Sequence, residues 1–116
     1  MSNFESFESC LKEIENRYNN TEKIRKKLVN YVDPIQISFL DTNRSVMIYV
    51  NKDQGIEVKD NAHDDTATVK IEFIAENILL ELFNKELGAV KAYSSGKIKV
   101  IEGNIRNLMK LKSLMF

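Results

Sequence analysis

A chain of 116 residues with 43% hydrophobic and 29% charged side chains has the size and balance of one globular domain, so residues 1–116 are read as a single unit with one core. Lys plus Arg and Asp plus Glu number 17 each, which gives no electrostatic reason to expect nucleic acid or an anionic membrane as the main partner. The longest apolar run, Val46 to Val50, is too short to span a bilayer, and no secretory signal follows Met1. One cysteine, Cys10, allows no intrachain disulfide and suits a reducing cytoplasm.

The first eighteen residues set Phe4, Phe7, Leu11, Ile14 and Tyr18 at steps of three and four, which is one stripe of an α-helix, with Glu5, Glu8, Lys12 and Glu15 off it. Asn19 and Asn20 break the pattern. Thr21 then caps a second helix expected through Val32, with Ile24, Leu28, Tyr31 and Val32 inward. Pro34, the single proline, forces an extended start to the next segment.

From Ile35 the period becomes two. Ile35, Ile37 and Phe39 alternate with lesser partners, Asp41-Thr42-Asn43 reads as a turn, and Val46, Ile48 and Val50 continue the alternation. Asn51 to Gly55 forms a second turn before a short strand with Ile56 and Val58, and Lys59 to Asp65 is polar and loop-like. Thr66 to Phe73 is the clearest strand, with Ala67, Val69, Ile71 and Phe73 on one side. Helical spacing returns with Ile74, Ile78, Leu79, Leu82 and Phe83, and Gly88 lies in a region that allows a reversal. A short helical piece through Val90 and Tyr93 ends at Ser94-Ser95-Gly96, and Lys97 to Val100 alternates as a fifth strand. Gly103-Asn104 introduces a last helix, with Asn104 as N-cap and Ile105, Leu108, Met109, Leu111 and Met115 along its apolar side. Short turns between the first strands imply antiparallel hairpins, and a sheet buried on one face needs helices to cover it, so the class is α+β. Several helical stripes converging on one small sheet either close a solid core or leave a cavity.

Chemistry-bearing clusters are few. His63-Asp64-Asp65 carries ligand-type atoms, but adjacent residues in a polar loop rarely converge on a metal, and no second histidine lies at useful spacing; a solvated loop is expected, and no metal. Gly88 and Gly96-Lys97 fail as a phosphate loop, because seven residues separate the glycines where four are needed and Ile98 follows the lysine. Cys10 has no histidine partner in reach of the pattern, and the Asp64 and Asp65 carboxylates have only polar flanks, so neither nucleophilic nor acid–base catalysis is expected. Lys23, Arg25, Lys26 and Lys27 form a basic run on the second helix, read as a solvated face with a minor option of contact with an acidic membrane or an acyl-CoA phosphate.

The C-terminal half carries a recognisable pattern. Lys91-Ala92-Tyr93-Ser94-Ser95-Gly96-Lys97-Ile98-Lys99-Val100, then Gly103-Asn104, then Met109-Lys110-Leu111, resembles the signature of the sterol-carrier-protein-2 family, over roughly the last fifty residues. Ile101 is one residue more than that family usually has before its Gly-Asn turn. Because strand side chains alternate, the extra residue needs a bulge or turns the next residues to the other face. The resemblance implies a five-stranded, mostly antiparallel sheet covered on one face by about five helices. It also implies an apolar cavity between them for a fatty acyl chain, an acyl-CoA or a sterol-like lipid, with no catalytic apparatus and no cofactor. On that reading Ile78, Leu79, Leu82, Phe83, Val90, Tyr93, Ile105, Leu108, Met109 and Leu111 line the cavity. The expected partner is a hydrophobic small molecule, with transient membrane contact, no nucleic acid, and a monomer or weak dimer. The alternative is an interaction or oligomerisation module with a closed core. The C-terminal Ser113-Leu114-Met115-Phe116 lacks the peroxisomal Ser-Lys-Leu address, so cytoplasmic residence is expected.

Overall fold

The computed structural model describes residues 5–28, 34–51 and 55–103. Helix α1 (Phe7–Asn20) opens on a reciprocal capping box: the Ser9 N–H donates to the Ser6 hydroxyl at 3.2 Å, and the Ser6 N–H donates to the Ser9 hydroxyl. Its buried stripe is Phe7, Leu11, Ile14 and Tyr18, as the spacing predicts, widened by Cys10; Phe4 lies outside the described residues. The helix runs on through Asn20, past the expected break. Helix α2 (Glu22–Lys27) comes next with Thr21 at its N-cap, although the Thr21 hydroxyl makes no capping bond. Ile24 and Leu28 are buried, and Tyr31 and Val32 lie outside the described residues.

Strands β1 (Ile35–Phe39), β2 (Arg44–Asn51) and β3 (Gly55–Asp60) precede β4 (Val69–Phe73), helices α3 (Glu76–Phe83) and α4 (Ala89–Ser94), and β5 (Ile98–Glu102). The five strands lie in the order β3-β2-β1-β4-β5; β1 and β4 are parallel and the other three neighbouring pairs are antiparallel. Four helices are described, against about five expected, because the helix expected after Asn104 lies outside the described residues. Register aligns Ile35 with Ile48 and Val69, Ile37 with Val46 and Ile71, and Phe39 with Phe73. These residues form the inner face, which shares one core with the stripes of α1 and α3.

The opposite face is covered by a loop. Since β3 and β4 are separated by two strands, the chain crosses the sheet between Asp60 and Val69, a lateral distance of about 14 Å at normal strand spacing. Residues 61–68 make that crossing. The Gln36 side-chain oxygen accepts the Asp64 N–H at 3.1 Å, the Tyr49 hydroxyl donates to the Asp64 carboxylate at 3.4 Å, and the Ala62 N–H donates to the Ser45 carbonyl. Gln36, Met47 and Ala67 are buried as a result, at 5%, 0% and 2% exposure. Asp64 also accepts from the Thr66 N–H and hydroxyl, so Thr66 belongs to a turn and β4 begins at Val69, later than its alternation suggests.

Two further boundaries differ for identifiable reasons. Ile74 has helical spacing to Ile78, but its N–H donates to the Lys97 carbonyl, which holds it as a continuation of the β4–β5 ladder; it is 43% exposed and the helix starts at Glu76. The first turn of α3 has no local cap. Asp41, from the β1–β2 turn, accepts the Glu76 N–H instead. At the far edge, Ile71 pairs with Val100 and Lys70 with Glu102, so Ile101 is an extra residue accommodated as a bulge; β5 continues to Glu102 with its register on β4 shifted by one residue there. Gly103, at φ +101, ends the strand where a Cβ would stand 3.4 Å from Val69.

Gln36→Leu removes the acceptor beneath the crossover and leaves the Asp64 N–H without its partner. We expect a loss of about 1 kcal/mol in a denaturant melt. Exchange should quicken at the Asp64 amide and not at core amides of β1; unchanged exchange there would show that the loop is held by other bonds.

Candidate functional site

The candidate site is the apolar interior enclosed by the inner sheet face, α1 and α3. Helix α3 supplies Ile78, Leu79, Leu82 and Phe83, all buried to 4% exposure or less, spaced so that they share the face turned to the sheet. From the other side come Leu11, Ile14 and Tyr18 of α1, and the floor is Ile35, Ile37, Ile71 and their neighbours. Burying a Leu, Ile or Phe side chain stabilises the fold by about 1.5–3 kcal/mol, so this interior is the main source of stability as well as the candidate lining.

The expected lining residues divide three ways. Ile78, Leu79, Leu82 and Phe83 are brought together in the interior. Val90 and Tyr93 are not: α4 turns Ala92 inward, which leaves Val90 77% and Tyr93 46% exposed. Ile105, Leu108, Met109 and Leu111 lie outside the described residues. Cys10 is fully buried, and burial pushes its thiol up to about 11, which keeps it protonated and unreactive at neutral pH.

One end of the interior is closed by a charged side chain that the hydrophobic pattern leaves unremarked. Arg44 opens β2 directly opposite Phe39, an inward position two residues before Val46. Its guanidinium lies 4.1 Å from the Phe7 ring centroid, over the aromatic group formed by Phe7, Phe39 and Phe73. Around it stand three carboxylates from three elements: Asp60 of β3, with Nε–Oδ1 at 2.8 Å and a second contact to Oδ2, Glu76 of α3 at 3.1 Å, and Glu8 of α1 at 3.2 Å. The Arg44 side chain is only 17% exposed, so these bonds are partly shielded from water. Arg44 holds the Asp60 carboxyl below its usual range; Glu8 is lowered by its own backbone N–H and then by Arg44. The signal for this residue was present in the alternation, since Arg44, Val46, Ile48 and Val50 share a period of two.

Elsewhere the polar groups pair locally. The His63 ring lies 2.5 Å from Asp65 on the exposed crossover loop, and among the described residues no group of three or more potential metal ligands gathers. Two of the α2 cations are engaged close to home: Arg25 donates to the Tyr18 and Asn19 carbonyls, and Lys26 pairs with Glu22 at 3.5 Å. No helix among the described residues is long and apolar enough to cross a membrane.

Comparison with known proteins gives a family match and several fold matches. The model of the SCP-2 sterol transfer family matches residues 11–116. The stereoselective inverting sec-alkylsulfatase Pisa1 from Pseudomonas sp. superposes with a TM-score of 0.69 at 15% identity; the match covers 88% of this chain and 15% of that one, so the chain spans a small part of the sulfatase. Palmitated SCP2L2 from Aedes aegypti gives 0.67 at 18% identity, covering 96% and 95% of the two chains. The sterol carrier protein domain 2 of Helicoverpa armigera gives 0.66 at 21%, covering 99% and 92%. At these identities the structural matches establish the shared fold. Comparison with curated proteins gives no match.

Arg44→Met keeps the stem over Phe7 and removes the charge. We expect a loss of about 1–3 kcal/mol at pH 7, read from a denaturant melt. Asp60 has a lowered folded-state pKa, so its contribution is present above the ordinary carboxylate value near 4 and is lost as pH falls through the lowered one. The gap between wild type and variant should therefore narrow as the pH is taken below about 4. A gap constant with pH would assign Arg44's contribution to its packing on Phe7.

Proposed function

Because the chain belongs to the SCP-2 sterol transfer family, we propose that it is a non-catalytic carrier holding a fatty acyl chain, an acyl-CoA or a sterol-like lipid between its sheet and helices. The observation that carries this reading is the continuous apolar interior assembled from α1, α3 and the inner sheet face in a chain of that family. Binding would be driven by burial of apolar surface, about 0.8 kcal/mol for each methylene taken out of water. A fatty acyl chain is favoured among these ligands, since a neighbour of the same fold is palmitated. The interior contributes apolar contact, and the buried thiol of Cys10 offers no nucleophile, so the reading includes no chemical step. It includes a cytoplasmic location, which a single buried cysteine suits, and a monomer or weak dimer.

The test begins with protein stripped of lipid by organic extraction. Saturable binding of a fluorescent fatty acyl or sterol probe is expected at micromolar-order affinity, about −8 kcal/mol. Absence of saturable binding across fatty acid, acyl-CoA, phospholipid and sterol would favour the closed-core interaction module.

A variant separates cavity from core. Leu82→Trp enlarges a side chain that is 2% exposed in the interior. On the carrier reading the ring occupies ligand space, so probe affinity falls at least tenfold while the melting temperature stays within a few degrees. Overpacking a solid core costs about 1–3 kcal/mol, so a lowered melting temperature with probe binding intact would contradict that reading.

A further inference from the structure

We propose that the start of α1 is a lid over the aromatic end of the interior, hinged near Asn20 and latched by the ion pair between Glu8 and Arg44. The inference rests on the carrier reading for its purpose, because a ligand held between sheet and helices needs a way in. The movement itself is tested without any ligand.

The two helices over the interior are fastened unequally at the Arg44 end. Helix α3 is held three times at its start. The Glu76 carboxylate accepts from the Arg44 guanidinium at 3.1 Å, the Glu76 N–H donates to Asp41 at 3.2 Å, and just before the helix the Ile74 N–H donates to the Lys97 carbonyl. The start of α1 has, among the described residues, one polar tie to the sheet, Glu8 to Arg44 at 3.2 Å, beside the apolar contact of Phe7 with Phe39. The other end of α1 is pinned: Arg25 donates to the Tyr18 and Asn19 carbonyls, and the Tyr18 side chain is buried. A helix held firmly at one end and lightly at the other pivots about the held end.

The latch is of a kind that opens. Glu8 is 63% exposed, and an ion pair so open to water is weak. Arg44 is shielded, and leaving a shielded charge without a counter-charge is costly. Release of Glu8 avoids that cost, because Asp60 and Glu76 remain on the guanidinium. The surplus of carboxylates over one cation thus lets α1 lift while β2, β3 and α3 stay joined. Lifting takes Phe7 off Phe39, whose ring lies against Phe73, and bares the aromatic end of the interior. It also bares Cys10, one turn further along α1 and fully buried in the closed form. The apolar surface exposed keeps the open form a minor one.

Cys10 is the single cysteine, so its labelling by N-ethylmaleimide, followed by mass spectrometry, reports the lid in native, ligand-free protein. The labelling rate should be insensitive to low concentrations of urea, since a local opening exposes little surface. Glu8→Gln should raise the rate about threefold, and Glu8→Lys, which repels Arg44, about tenfold, with the melting temperature unchanged within about two degrees. In stopped-flow mixing with NBD-stearate, association and dissociation should both quicken by the factors seen in labelling. Faster labelling of the Glu8 variants in a protein that binds no NBD-stearate would sustain the lid and remove the carrier reading. Wild-type labelling rates in both variants, labelling that tracks global unfolding in urea, or NBD-stearate rates unmoved in variants that label faster would each overturn the proposal.

Discussion

The parallel pairing of β1 with β4 at the centre of the sheet sets the terms for the rest of the molecule. A parallel neighbour cannot be reached by a tight turn, and β3, the preceding strand, sits at the far edge with β2 and β1 between. The chain must therefore cross a face of the sheet. With α1 and α3 on the inner face, the crossing takes the outer one, and eight residues span it without a helix. Gln36 is the polar residue this arrangement requires. It is buried on the face where alternation would put a solvated side chain, and it is satisfied by the loop backbone that buries it.

The inner face solves a different problem, that of joining helices to a sheet by apolar contact, which is strong but not directional. Arg44 supplies direction. Its planar fork meets carboxylates from β3, α1 and α3, and its flat face lies on Phe7, so one side chain fixes the mutual placement of three elements at the aromatic end of the interior. Asp41 adds a second tie by capping α3 from the β1–β2 turn. Both residues flank the same short hairpin, so the start of β2 anchors the helical layer.

Much of this fold was legible in the sequence, and what was not has physical reasons. Period and spacing identified the α1 stripe, the inner-face residues of β1, β2 and β4, and the buried side of α3, because each is a local consequence of 3.6 or 2.0 residues per repeat. The extra residue at Ile101 was readable as a choice between bulge and flip, and the pairing of Glu102 with Lys70 settles it as a bulge. Ile74 misled because its spacing to Ile78 is helical, whereas its backbone bond to Lys97 comes from a strand distant in sequence. Val90 and Tyr93 misled for a related reason: a six-residue helix has too little periodicity to fix its own roll, and the buried Ala92 does so instead. Of the polar stretch 59–65 only residues 61–65 are loop, since Lys59 and Asp60 pair with Met47 and Val46 in β3, and its composition carried no sign that the crossover would seal Met47.

The central parallel pair also orders the steps by which the molecule can assemble. The β1–β2–β3 meander is built from neighbouring segments and closes early, whereas β1 finds β4 only after the whole crossover has been ordered, a contact between residues as distant as Ile35 and Val69. During synthesis the meander therefore emerges with β1 as an open edge, and the backbone N–H and C=O groups on that side of Ile35 to Phe39 stay unpaired until β4 docks. An unpaired edge of that composition is a template for another chain's strand. The period between completion of β3 and arrival of β4 is thus the one in which this protein is most exposed to aggregation, and the length of the crossover loop governs how long that period lasts.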